Sequence, residues 1–197
     1  MAVLNVAVLV SGRGSNLQAL LDRAVSRAAF RVAVVVSDQP DAPALERAAA
    51  AGVPAAVVAP AGGERRAAFD ARLGAALARR GVELVCLAGF MRILGPAFVG
   101  RWRGRLVNIH PSLLPAYPGL DTHARALRDG VTRHGCTVHW VRPEVDAGPV
   151  IAQAAVPVRP ADDPATLAAR VLSAEHRLYP EVVAGIAAGR LQDPGGA

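Results

Sequence analysis

The chain has 197 residues, room for one domain that removes roughly 70% of its unfolded surface from water, so no disulfide or metal staple is required. Apolar residues make up 52% and charged residues 19%, which excludes an intrinsically disordered chain. Net charge is +6 and all 22 basic residues are arginine; with no lysine, Schiff-base chemistry and a lysine-bearing triphosphate loop are both excluded. The arginines are scattered and aromatics are only 4%, without the basic stripe and stacking rings of a nucleic-acid binder. The charge implies attraction for small anions.

Residues 3–10 form a continuous apolar strand without a basic flank, so they read as structure rather than as a signal peptide. An amphipathic helix is expected over residues 16–27 (Leu17, Leu20, Leu21, Ala24), then a β-branched strand over 31–37. A helix over 42–51, a short strand over 55–59 and a longer helix over 64–80 follow, the last with Phe69, Leu73 and Leu77 at helical spacing. A strand over 83–88, a short helix over 95–102 and a strand over 105–109 come next. After a proline-punctuated loop from Pro111 to Pro118, residues 122–128 read as helix, and 136–141 and 150–158 as strands. The last helix spans 164–188 with a kink expected at Pro180, and Asp193 to Gly196 read as a loose tail.

This βαβα rhythm predicts an α/β single domain with a mainly parallel central sheet and helices on both faces. Ligands in such sheets sit at the carboxyl ends of strands. Three polar clusters are expected there, after Val10, Val107 and Val141. No apolar stretch is long enough to cross a bilayer. Cys86 and Cys136 stand far apart with no Cys or His pair beside them, which fits reduced thiols in the cytoplasm.

The first cluster, Ser11-Gly12-Arg13-Gly14-Ser15-Asn16, joins a strand to a helix. Its glycines permit a tight turn, and the free N–H groups of the helix start can hold a phosphate. A dinucleotide loop would carry a third glycine where this chain has Leu17. A purely structural turn stays open.

In the second, Asn108 and His110 are two apart, so both side chains project from one side of an extended chain. An amide donor beside an imidazole suits acyl transfer to an amine, the amide holding an oxyanion and the imidazole handling a proton. Asp146, in the third cluster, would orient His110 and favour its charged form. The residues alone leave open that Asn108 ties down a loop, His110 is a packing histidine and Asp146 turns the chain. His110, His123, His139 and Asp146 lack metal-ligand spacing, so no metal is expected.

Asn108-Ile109-His110-Pro111-Ser112-Leu113-Leu114-Pro115, with Asp146-Ala147-Gly148, resembles the active-site signature of the enzymes that use 10-formyltetrahydrofolate. Residues 11–19, the segment Leu87 to Leu94, and Ala174-Glu175-His176 with Tyr179-Pro180 are similar to the glycinamide ribonucleotide formyltransferase family. The resemblance runs from about Asn5 to Leu191, so a single formyltransferase domain over residues 1–197 is expected, without the extra domains of the tRNA-directed or deformylating relatives.

By matching position, the resemblance implies that Asn108, His110 and Asp146 are catalytic, and that Gly14, Ser15, Asn16 and Glu175 bind the ribonucleotide. It implies that Arg66, Met91, Arg92, Ile93, Leu94, Asn108, Arg142, Pro143, Glu144, Val145 and Asp146 bind the folate. The implied substrates are small molecules, glycinamide ribonucleotide and 10-formyltetrahydrofolate as co-substrate, in purine synthesis, with no metal, nucleic acid or membrane partner.

Overall fold

The computed structural model describes residues 3–25 and 29–195. The elements run β1 (Leu4–Val10), α1 (Ser15–Val25), β2 (Phe30–Ser37), α2 (Pro43–Ala50), β3 (Ala55–Val57), α3 (Arg66–Ala78) and β4 (Leu84–Leu87). They continue with α4 (Pro96–Arg101), β5 (Leu106–His110), α5 (Thr122–Arg128), β6 (Arg133–Trp140), β7 (Val150–Pro157) and α6 (Pro164–Ala187). Every expected element is present. The end expected for the first helix, Arg27, lies outside the described residues.

The seven strands lie in the order β3-β2-β1-β4-β5-β6-β7, parallel except for the antiparallel pairs β5/β6 and β6/β7. The parallel strands are covered on both faces, which is why their central stretches are apolar. Val6, Val8 and Val10 of β1 face one core with Leu17, Leu20 and Tyr179, whereas Ala7 and Leu9 face the other with Phe69, Leu73 and Phe98. Helices α1, α2 and α6 thus cover one face, and α3 and α4 the other.

The chain leaves β1 toward β2 on one side, while β4 and β5 extend the sheet on the other. Between β1 and β4 the strand order reverses, and loops on either side of such a point diverge to leave a crevice.

Helix α6 starts at a reciprocal cap: Asp163 Oδ1 accepts from Thr166 N at 2.7 Å and Thr166 Oγ1 accepts from Asp163 N at 2.9 Å. It does not stop at Pro180 but continues to Ala187. The fully buried Tyr179 fixes its height over the sheet, its hydroxyl lying 2.9 Å from the Leu87 carbonyl and 3.3 Å from that of Val107. Glu175, one turn earlier, is thereby held at the crevice.

One expectation is corrected at the third polar cluster. Because β6 runs antiparallel, Trp140 lies opposite Val107 and Val141 N bonds Leu106 O, so the chain leaves β6 at the edge away from His110. The loop from Arg142 to Gly148 must double back to reach the crevice. Asp146 makes that reversal with φ 53°, and Gly148 permits the return, since a Cβ there would overlap the Trp140 carbonyl.

The tail expected to be loose is a second correction over its described residues, Asp193 to Gly195; Gly196 lies outside them. Asp193 is 8% exposed and pairs with Arg142 at 2.6 Å.

Candidate active site

The crevice is a cleft of about 1180 Å³. It is lined by the loop after β1, the segment after β4, the end of β5, the loop after β6 and the face of α6 that carries Glu175. Every site residue expected from the sequence lines it except Arg66. Arg66 is exposed on the first turn of α3, its Cδ beside Gly95, so it stands behind the wall rather than in it.

The β1 loop is shaped from below by α2. Ala44 N donates to Gly12 O at 3.1 Å and Arg47 Nε donates to Arg13 O at 2.8 Å, which turns these loop carbonyls toward α2. Gly14 has φ 73°, and a Cβ there would stand 2.6 Å from Ala44 Cβ, so only glycine fits. The free N–H groups at the start of the eleven-residue helix α1 then face the cleft.

Asn16 Nδ2 donates to Glu175 Oε2 at 2.6 Å, and Asn16 Oδ1 is buried without a partner among the described residues. Burial raises the Glu175 pKa and the Asn16 hydrogen bond opposes the rise. A carboxyl whose pKa is raised in the native state destabilises the fold as pH rises above its ordinary value of 4.5. Glu175→Gln is therefore expected to melt no lower than the parent at neutral pH, with any advantage vanishing toward pH 4.5. Its ribonucleotide KM should still rise about tenfold or more, for loss of a charged acceptor. A lower melting temperature at neutral pH would contradict the stability half, an unchanged KM the binding half.

Beyond β4 the wall is apolar. Met91 and Ile93 are 69% and 56% exposed, and Arg92 turns back over the Phe69 ring at 4.4 Å. Asp70 Oδ2 accepts from Gly95 N at 2.8 Å and holds this segment on α3. Ser11 couples the two halves of the cleft, its hydroxyl accepting from Met91 N at 2.9 Å.

At the junction stand Asn108, His110 and Asp146. His110 Nε2 lies 2.9 Å from Tyr117 O and Nδ1 lies 3.3 Å from Asp146 Oδ2. Both neighbours are acceptors, so the doubly protonated ring satisfies both contacts. Asp146 Oδ2 also accepts from Gly119 N at 2.8 Å, which ties the loop after β5 to the same carboxylate.

One functional side chain escaped the sequence reading, which considered His139 only as a metal ligand. The antiparallel register sets it opposite Asn108. His139 Nδ1 donates to Trp140 O at 3.1 Å, so Nε2 of the neutral ring accepts from Asn108 Nδ2 at 3.2 Å. Burial lowers the His139 pKa and keeps the ring neutral, outweighing the nearby Asp146 carboxylate. His139 thereby fixes the amide orientation of Asn108 and leaves its second N–H free. No group of His, Cys, Asp and Glu able to hold a metal occurs among the described residues.

Behind the loop, His134 is 1% exposed and packs edge-on against His123 and Tyr117. Burial, then the neighbouring His123, lowers its pKa from 6.5 to about 4. The unfolded chain therefore binds a proton that the native chain refuses, and stability falls as pH drops from 6.5 to about 4. Through that window the loss should reach roughly 2–3 kcal/mol. Denaturant melts of His134→Gln should show a shallower acid slope than the parent; parallel slopes would contradict the assignment.

Residues 4–183 match the family model described as Formyl transferase. The phosphoribosylglycinamide formyltransferase of Escherichia coli (strain K12) is 47% identical over 190 residues, covering 96% of this chain and 90% of that protein. The crystal structure of glycinamide ribonucleotide transformylase 1 from Symbiobacterium toebii superposes with a TM-score of 0.94 at 50% identity, covering 98% of this chain and 92% of that one. The trifunctional purine biosynthetic proteins adenosine-3 of Drosophila pseudoobscura pseudoobscura and Homo sapiens are 48% and 45% identical, but the chain spans only 14% and 19% of their length. The chain belongs to the formyl transferase family and, within it, to the phosphoribosylglycinamide formyltransferases.

Proposed function

We propose that the protein transfers the formyl group of 10-formyltetrahydrofolate to the amine of glycinamide ribonucleotide, giving N-formylglycinamide ribonucleotide and tetrahydrofolate in de novo purine synthesis. The observation that carries this reading is the meeting of Asn108, His110 and Asp146 between an anion-suited helix start and an apolar wall, within one cleft. A volume of about 1180 Å³ exceeds that of an ordinary single-ligand pocket and suits two substrates side by side.

In this reading the phosphate docks on Gly14, Ser15 and Asn16, and Glu175 accepts from the ribose hydroxyls. Met91 to Leu94 and Arg142 to Asp146 hold the folate. The substrate amine attacks the formyl carbon, and negative charge develops on the formyl oxygen. The free Asn108 N–H and the His110 ring stabilise that charge, while Asp146 keeps the ring aimed. The bond from the formyl carbon to the folate nitrogen then breaks. The attacking amine loses a proton and the departing nitrogen gains one, so no enzyme-bound acyl group is required.

The reaction belongs in the cytoplasm, a placement supported by two buried free thiols, Cys86 and Cys136. No helix among the described residues is long and apolar enough to cross a membrane.

Spectroscopic assay of tetrahydrofolate release tests the activity. Release is expected only when glycinamide ribonucleotide is present. Equal release without it would make the protein a hydrolase of formyl-folate.

A further inference from the structure

Segments remote in sequence meet beside the apolar half of the cleft. After α6, Gly189 turns the chain with φ 71°, and Leu191 seats on Gly185, where a Cβ would stand 2.6 Å from its Cδ1. This anchors residues 192–195 against the body of the protein. Asp193 then enters the interior, its side chain only 1% exposed. Its Oδ1 accepts from Arg142 Nη2 at 2.6 Å and from Gly195 N at 3.1 Å. Gly195 O in turn accepts from Arg103 Nε at 2.9 Å.

The two arginines belong to separate segments of the chain. Arg142 opens the doubled-back loop that ends at Asp146 and itself lines the cleft. Arg103 follows α4, whose Val99 also lines the cleft. A Cβ on Gly195 would stand 2.9 Å from Arg103 Nη2 and 3.5 Å from Arg142 Nη2, so both guanidinium groups converge on this residue.

We propose that residues 192–195 are a brace that sets the spacing of the folate-binding walls, with Asp193 the positioning residue acting through Arg142. A surface ion pair would contribute little. Here the carboxylate is buried and the guanidinium only 15% exposed, and the guanidinium is held at both ends, since Arg142 Nη1 donates to Val141 O at 3.1 Å. Burial pushes the Asp193 pKa up, but Arg142 and the Gly195 N–H outweigh it and hold the pKa below the ordinary value, so the brace stays charged at neutral pH. The loop after β6 meets no regular strand over its reversal. Its first residue needs an external tie if its last, Asp146, is to reach His110 reproducibly. The proposal rests on the assignment of this half of the cleft to formyl-folate.

The test compares the parent chain with Asp193→Ala and Arg103→Gln, using calorimetry with 10-formyltetrahydrofolate and, separately, glycinamide ribonucleotide, together with KM and kcat. Asp193→Ala should raise Kd and KM for the folate about tenfold, with the ribonucleotide constants and kcat at saturation within about threefold. Arg103→Gln should move the folate constants in the same direction by less. Arg103 is exposed, so that variant keeps the test decisive if Asp193→Ala fails to fold. Unchanged folate affinity in the folded variants, or equal losses for both ligands, would overturn the brace. A parent chain that does not bind the folate at all would overturn the ligand assignment and the proposal with it.

Discussion

Asp146→Asn should lower turnover by about 10²- to 10⁴-fold, the usual worth of positioned acid–base assistance, while ribonucleotide affinity stays nearly constant. Asparagine keeps the size of the side chain and an oxygen that can accept from Gly119 N, now bonded at 2.8 Å. It removes the negative charge 3.3 Å from His110 Nδ1. Its amide N–H₂ can also turn to His139 Nε2, which lies 3.7 Å from Asp146 Oδ1, and so compete with Asn108 for the one lone pair there. Steady-state kinetics with both substrates saturating provides the measurement. Parental turnover in the folded variant would mean that Asp146 only shapes the loop.

The second large effect is expected at the opposite end of the cleft. Ser15→Ala combined with Asn16→Ala should weaken ribonucleotide binding far more than folate binding. Hydrogen bonds to a charged phosphate are worth about 1.5–3 kcal/mol each, so the pair should cost about 10²- to 10⁴-fold in affinity. Asn16→Ala does more than remove a phosphate donor. It strips the buried Glu175 carboxylate of its 2.6 Å partner, so the two losses will not add simply. Calorimetry with each ligand decides the matter, and equal losses for both would make the loop a structural turn.

Much of this was legible in the sequence because it depends on local pattern. The two-residue alternation of β1 and the helical spacing of Phe69, Leu73 and Leu77 follow from which faces must be buried. The spacing of Asn108 and His110 sets both side chains on one side of β5 without knowledge of any other strand. What escaped depends on register and direction. Nothing within β6 says that His139 will stand opposite Asn108, because that requires β6 to run antiparallel and to pair at that offset.

The same reversal explains why the Arg142–Asp146 loop starts at the wrong edge of the sheet and must return. A run of Asp-Pro-Gly-Gly has the composition of a loose tail. The buried partner that orders Asp193 is an arginine far back in the chain, which composition cannot show. Arg66 stands apart for a different reason. It was named from resemblance alone, and in the structure it packs beside Gly95 outside the cleft lining.

In the proposed reaction the cleft brings the formyl carbon of one substrate directly to the amine of the other. Magnetic resonance with 10-formyltetrahydrofolate isotopically labelled at the formyl carbon tests it most directly. The label should pass into the amide of N-formylglycinamide ribonucleotide in step with tetrahydrofolate formation, with no labelled formate. Label appearing as free formate, or product formed without label, would contradict direct transfer in this site.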